Sequence, residues 1–362
     1  MSGHMMIMAG GTGGHVFPAL AVAKSLSAKG TQITWLGTKR GLEASVIPAN
    51  DIAIEWVSVE GLRGKGAVSL LLAPFKLLRA MWQSASAIHR TKPDCVLGMG
   101  GFVAGPGGLM ARIMGKPLIV HEQNAVAGLT NKYLAKIASR VLTGFPKVLD
   151  LPESAVWLGN PVRDEIDKAN IANSLNEQSN SSVVNVLVIG GSQGAHSFNT
   201  KLPNIFAQLV SSSTTFSVWH QTGKGRNQEV VDLYEKLELK NTKVTEFIED
   251  MASAYQWADL LICRAGAMTI AECCAAAKPA LLIPFPFSAG DHQIKNAKLM
   301  CDVGAGEMLL NEQIESPEMI EVLKQLLNDK SKLKDMGEHA YRLHKPNALV
   351  DVANVCEEYL NA

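Results

Sequence analysis

The 362-residue chain has no run of 18 uncharged apolar residues, so no segment reads as a membrane-spanning helix. It has no Cys-x-x-Cys pair. Its six cysteines follow no disulfide or zinc framework and read as small buried apolar groups of a reduced, cytoplasmic protein. No Asp-x-Asp occurs, and no Gly-x-x-x-x-Gly-Lys-[Ser/Thr] loop. The first absence removes the common metal–diphosphate motif and the second disfavours a P-loop nucleotidase. Aromatics make up only 6% and no basic stripe carries them, which argues against nucleic-acid binding. The first apolar run lacks a charged leader and is broken by glycines, so no signal peptide is expected. Met1-Ser2-Gly3-His4-Met5 reads as an expression remnant outside the fold.

What is present is the balance of a globular protein, 47% hydrophobic and 19% charged, with length for two domains. Net charge is zero, but residues 1–160 carry 16 Lys and Arg against 8 Asp and Glu, and the remainder carries the opposite excess. A basic first half suits an anionic partner. Apolar runs at 5–8, 32–37, 95–100, 117–122 and 140–145 alternate with helical patterns, the first helix expected from about Pro18 to Lys29. After the polar stretch 170–182 the grammar restarts, with strands expected at 184–189, 215–219, 242–247, 259–263 and 279–283. This predicts an α/β protein of two similar Rossmann-like domains, with parallel sheets facing across a cleft.

Three glycine loops follow expected strands: GGTGGH (10–15), GMGGFVAGPGG (98–108) and GGSQGA (190–195). Glycine lets backbone N–H groups approach a ligand, and a following helix favours anions. None has the Gly-x-Gly-x-x-Gly spacing, and the second strand ends in Gly37-Thr38-Lys39-Arg40 without the acid that holds a ribose, so a dehydrogenase is disfavoured. Each loop could still be only a tight turn. Phosphate or sugar binding is favoured by their repetition at equivalent points. His15 is the titratable side chain of the first loop, either a general base or a hydrogen-bonding group.

GGTGGHVFPALA, HEQNAVAGLTNK, GNPVR, GGSQGA and FIEDM resemble the bacterial N-acetylglucosaminyltransferases of peptidoglycan synthesis, in glycosyltransferase family 28. The resemblance implies a GT-B fold: an acceptor-binding, membrane-facing domain over 1–162, a UDP-GlcNAc domain over 163–340, and a C-terminal helix within 341–362 packing back on the first. It implies inverting transfer of GlcNAc from UDP-GlcNAc to O4 of undecaprenyl-diphospho-MurNAc-pentapeptide, without a tightly bound cofactor or an essential divalent metal. His15 and Glu122 are then rival bases. Thr12, Gly13 and Gly14 offer backbone contacts, and Asn124 matches a donor-contacting Asn. Arg163 and Ser192 are expected near the diphosphate, Ile248 at the uracil, Glu272 on the ribose and Gln293 on the GlcNAc hydroxyls. Ala267, Met268, Thr269, Ile270 and Ala271 form the loop and helix start over UDP, reading AMTIAE where ALTVSE is commoner. His292 stands where a second glutamine is usual.

Leu71, Phe75, Leu78 and Trp82 recur on one helical face, interrupted by Lys76 and Arg79. Such a stripe is often core. With a polyprenyl-linked substrate and a basic half it is expected to lie peripherally on the anionic cytoplasmic face of the inner membrane, where other cell-wall synthesis proteins are possible partners. Two other readings stay open: another UDP-sugar enzyme, such as a UDP-GlcNAc epimerase or antibiotic glycosyltransferase, and a non-catalytic nucleotide-sugar-binding scaffold.

Overall fold

The computed structural model describes residues 3–60, 72–167, 183–191, 193–210 and 215–361. The chain forms two compact units, Met1–Pro161 with Asn347–Ala362, and Val162–Pro346. The crossings fall at the two prolines. Residues 341–346, expected with the last helix, therefore stay in the second unit, and the polar stretch 170–182 lies outside the described residues.

The first unit is built on seven parallel strands: β1 (His4–Ala9), β2 (Gln32–Gly37), β3 (Ala53–Trp56), β4 (Cys95–Gly100), β5 (Leu118–Glu122), β6 (Arg140–Thr143) and β7 (Val156–Trp157). Their order is β3-β2-β1-β4-β5-β6-β7. In register, Met5 lies opposite Ile33 on one side and Cys95 on the other. Successive side chains of β1 enter opposite layers. Met5, Ile7 and Ala9 join a core with helix Gly13–Ala28 and the C-terminal helix Ala348–Leu360, through Val352, Ala353 and Cys356. Met6 and Met8 join a second core with helices Ala73–Thr91 and Ala104–Ile113. Burial on both faces is why the strands read as continuous apolar runs.

The second unit repeats the plan with β8 (Val184–Ile189), β9 (Phe216–Gln221), β10 (Thr242–Thr245), β11 (Leu260–Cys263), β12 (Ala280–Leu282) and β13 (Gly306–Met308), in the order β10-β9-β8-β11-β12-β13, all parallel. Each sheet reverses its winding beside its first strand, between β1 and β4 and between β8 and β11. Open α/β sheets bind ligands at such switch points.

Four expectations change. The edge strands β3, β7 and β13 were not anticipated, because they are short and half-exposed and carry no apolar run. The first helix begins at Gly13, not near Pro18, so Pro18 lies inside it and forgoes one intrahelical bond. His4 and Met5 lie within the fold rather than outside it: His4 is buried in β1, its N–H donates to Asp94 Oδ2 at 2.8 Å, and its ring lies 2.8 Å from Thr34 Oγ1. The middle glycine loop is also partly helix. Gly107 and Gly108 pack where a Cβ would strike Met8 and Leu36, or Leu134.

His220 on β9 is fully buried, 3.0 Å from the Tyr234 hydroxyl, and burial pulls its imidazole down to about 3. Above pH 6.5 neither folded nor unfolded chain holds this proton. As pH falls, the unfolded chain binds it first and stability is lost. The stability of the second unit against urea is expected to fall progressively from about pH 6.5 toward about 3, and His220→Gln to flatten that slope.

Candidate active site

In the first unit, β1 runs directly into Gly10 and Gly11, and Thr12 sits extended ahead of the helix with no side-chain cap. The first intrahelical contacts are His15 N and Val16 N to Thr12 O, at 3.1 and 3.2 Å. The N–H groups of Gly13 and Gly14 precede them and emerge at the positive end of the helix. His15 is therefore a first-turn helix residue, not the last residue of a loop. Its ring lies against Gly100 at the end of β4, where a Cβ would come within 2.8 Å of it. Gly101, at φ +82°, packs its α-carbon onto the backbone of Gly10. The two loops flanking the switch point thus meet backbone to backbone, with His15 across the join.

Glu122 ends β5 and is almost fully buried. Its Oε1 accepts from Asn124 N at 2.9 Å and Asn124 Nδ2 at 3.0 Å. Its Oε2 accepts from Gly128 N at 3.0 Å and Asn131 Nδ2 at 2.9 Å. Four donors fill the carboxylate, which is the geometry of a loop staple and leaves it little lone-pair capacity for a proton. Asn124 belongs to that staple. The rest of HEQN is also structural: His121 Nε2 donates to Gly159 O at 3.0 Å, with the tautomer set by that carbonyl, and Asn160 Nδ2 donates to Gln123 O at 3.0 Å. Burial lowers the His121 imidazole, keeping it neutral.

In the second unit, helix Ala267–Ala275 follows β11 after an uncapped Gly266. Its first N–H donors, from Ala267, Met268 and Thr269, have no intrahelical partner. Ile270 and Ala271 are buried, and Ile270 N bonds Gly266 O at 2.9 Å, so these two side chains pack the fold rather than line a site. Glu272 stands one turn on. Its Oε2 accepts from the buried Tyr255 hydroxyl at 3.0 Å, and Arg163 Nη2 lies 3.8 Å from Oε1. Burial raises the Glu272 carboxyl, while Arg163 and the Tyr255 bond act against that rise. Gln293, near the start of helix His292–Asp302, accepts from Phe285 N at 2.8 Å through its carbonyl, leaving its amide donors for other partners. Ile248 is buried ahead of helix Met251–Trp257, so only its backbone can face a ligand. Ser192 lies outside the described residues.

Two curated relatives align along the whole chain. Each is a UDP-N-acetylglucosamine--N-acetylmuramyl-(pentapeptide) pyrophosphoryl-undecaprenol N-acetylglucosamine transferase. The one from Methylococcus capsulatus is 46% identical, covering 100% of both chains. The one from Shewanella denitrificans is 43% identical, covering 99% of this chain and 97% of the relative. The crystal structure of Acinetobacter baumannii MurG matches with a TM-score of 0.83 and 37% identity, over 98% of this chain and 99% of that one. Residues 5–143 match the glycosyltransferase family 28 N-terminal domain and 185–352 its C-terminal domain. The chain belongs to glycosyltransferase family 28. Its two parallel-sheet units are those of the GT-B fold.

Three features of this family 28 chain escaped sequence reasoning. Glu43 is buried against the first glycine loop; an acid six residues past β2 was the available signal. Arg264, directly after the apolar β11, is a buried cation with neutral partners. It donates to Ile283 O, Pro284 O, Ser197 Oγ and Asn311 Oδ1 at 2.8–3.2 Å and stacks on Phe198. Burial pulls it down to about 10, so it stays charged beside the starts of helices His196–Val210 and Ala267–Ala275. The third is the breadth of the apolar surface. Phe75, Leu78 and Trp82 are 70%, 61% and 71% exposed, beside exposed Lys76 and Arg79, and Leu71 lies outside the described residues. Ile113, Leu129 and Tyr133 on the two following helices are exposed as well.

Gly101→Ala places a Cβ on the Gly10 backbone in a left-handed conformation, whereas Gly115, at φ +74°, has nothing within 4 Å. Gly115→Ala is expected to cost about 1 kcal/mol from strain alone, and Gly101→Ala roughly 2 kcal/mol more, read by denaturant unfolding.

Proposed function

We propose that the protein transfers N-acetylglucosamine from UDP-GlcNAc to undecaprenyl-diphospho-MurNAc-pentapeptide, joining C1 of the donor sugar to the acceptor O4 with inversion and releasing UDP. The observation that carries the reading is the helix start at Ala267 with Glu272 held by Tyr255 one turn on. It offers N–H donors and a fixed positive end to a diphosphate, and a carboxylate to a pair of ribose hydroxyls. Arg163 adds a fixed charge there. Gln293 supplies amide donors to the sugar, and backbone at Ile248 reads the uracil edge. The relatives, alike over their full length, bear the name of this reaction.

The acceptor falls to the first unit. Backbone at Thr12, Gly13 and Gly14 meets its diphosphate or sugar, and His15 takes the O4 proton as the bond to C1 forms. The reading assigns the departing charge to helix ends and guanidinium groups, so a divalent ion is not required. Glu122 holds the loop that carries Asn124.

The exposed Phe75, Leu78 and Trp82, flanked by Lys76 and Arg79, suit the interface of an anionic membrane, with apolar groups dipping in and cations on the headgroups. No described helix is long and apolar enough to cross a membrane, which fits peripheral attachment to the cytoplasmic face.

Incubation with UDP-GlcNAc and a short-chain lipid-linked MurNAc-peptide is expected to release UDP in the presence of EDTA. Release only with Mg²⁺ would refute metal independence, and none in either case would refute the activity. His15→Ala is expected to lower kcat by about 10²–10⁴ with UDP affinity unchanged; undiminished turnover would exclude it as the base. Binding to anionic vesicles at low salt is expected, and a Phe75→Ala, Trp82→Ala double variant should lose most of it; equal binding by the double variant would remove the patch from membrane attachment.

A further inference from the structure

Glu43 begins the short helix Glu43–Val46 beyond β2 and has no exposed surface. Among the described residues no cation pairs with it. Its Oε2 accepts from Gly11 N at 2.9 Å, and its Oε1 accepts from Thr38 N at 3.0 Å and Thr38 Oγ1 at 2.7 Å. Leu42 N returns a bond to Gly11 O at 3.3 Å, so both ends of Gly11 are held by residues 42 and 43. The space is cleared by glycine: a Cβ at Gly10, Gly37 or Gly41 would strike the Glu43 side chain.

A buried carboxylate without a cation is costly unless its oxygens are filled, and here they are. In dinucleotide-binding units, an acid near the end of the second strand reaches out to ribose hydroxyls. In this chain the acid after β2 turns inward and is spent on the unit's own backbone. Gly11, at φ +92°, is the last peptide turned before Thr12 and the helix bearing Gly13, Gly14 and His15. Its orientation sets where those N–H groups and that ring point.

We propose that Glu43 is a positioning residue for the acceptor: it occupies the place of a ribose contact and anchors the Gly11 peptide, so that the first helix turn and His15 are aimed at the lipid-linked diphosphate sugar. This rests on the reading of the first unit as the acceptor side.

Glu43→Gln keeps the volume but leaves one of these N–H groups facing another donor. Thr38→Val keeps the Gly11 bond and removes the hydroxyl, with its bond to Glu43 and the one it accepts from Gly41 N at 3.3 Å. In the full chain, Glu43→Gln is expected to lower kcat/KM for the lipid acceptor by about 10- to 100-fold, with the donor KM within about 2-fold, and Thr38→Val to lower it less. Amide exchange over residues 10–16 is expected to quicken in Glu43→Gln while residues 196–210 keep their wild-type protection. Wild-type kinetics with only a lower Tm, or an equal rise in both KM values, would reduce Glu43 to a brace of the fold. Unchanged exchange at 10–16 would overturn the anchor itself. That readout needs no turnover, so an inactive wild-type protein would refute the transferase reading while the anchor is still decided. Should Glu43→Gln not fold, Glu43→Asp decides, because its shorter side chain cannot reach Gly11 N and Thr38 together: unaltered exchange at 10–16 with unaltered acceptor kinetics overturns the proposal, and quicker exchange with a selective acceptor loss supports it.

Discussion

The first half-site depends on two stretches of backbone meeting with no side chain between them. Gly101 lies on the peptide of Gly10, and Gly100 leaves the room that the His15 ring fills. A Cβ at either glycine would part the loops that leave β1 and β4, and with them the helix start carrying Gly13 and Gly14. The second unit uses the same device in another place. There Gly194 and Gly223 interlock, the former against Thr222 and the latter against Gln193. Close approach of backbone, rather than flexibility, is what these glycines supply.

Buried polar groups then keep the loops where the glycines allow them to be. Glu122 takes four donors from its own loop, Glu43 takes three from two loops, and Arg264 gives its N–H groups to carbonyl, hydroxyl and amide oxygens. None of the three relies on an ion pair among the described residues. Each is saturated by neutral or backbone partners, which makes a unique loop geometry cheaper than any alternative that would leave a buried charge bare. Glu272 differs. It keeps 20% exposure, and among the described residues it takes one hydrogen bond, from Tyr255, with Arg163 at 3.8 Å, so it retains acceptor capacity for a ligand.

Much of the architecture was legible in the sequence. The central strands β1, β2, β4 and β8 stand where apolar runs of four to six residues said they would, because burial on both faces leaves no polar alternation. Of the four edge strands, β10 was legible in the run 242–247, while β3, β7 and β13, two to four residues without an apolar run, were not. The start of the first helix was also hidden. Gly13 and Gly14 have low helix propensity, and only tertiary packing holds them in a first turn.

The candidate site divides along the same line. Residue type and order along the chain were enough to single out the GGTGGH and GGSQGA loops, because anion-binding loops need glycine before a helix, a local requirement; Glu272 was pointed to by the family resemblance instead. Sequence alone could not separate His15 from Glu122 as a proton acceptor, nor find Glu43 or Arg264. Those distinctions are set by which donors surround a buried carboxylate and which acceptors surround a buried guanidinium, and those partners come from segments up to 67 positions away in the chain. Local chemistry is written in the order of residues. Whether a carboxylate is spent or available is decided only when the sheet brings distant loops together.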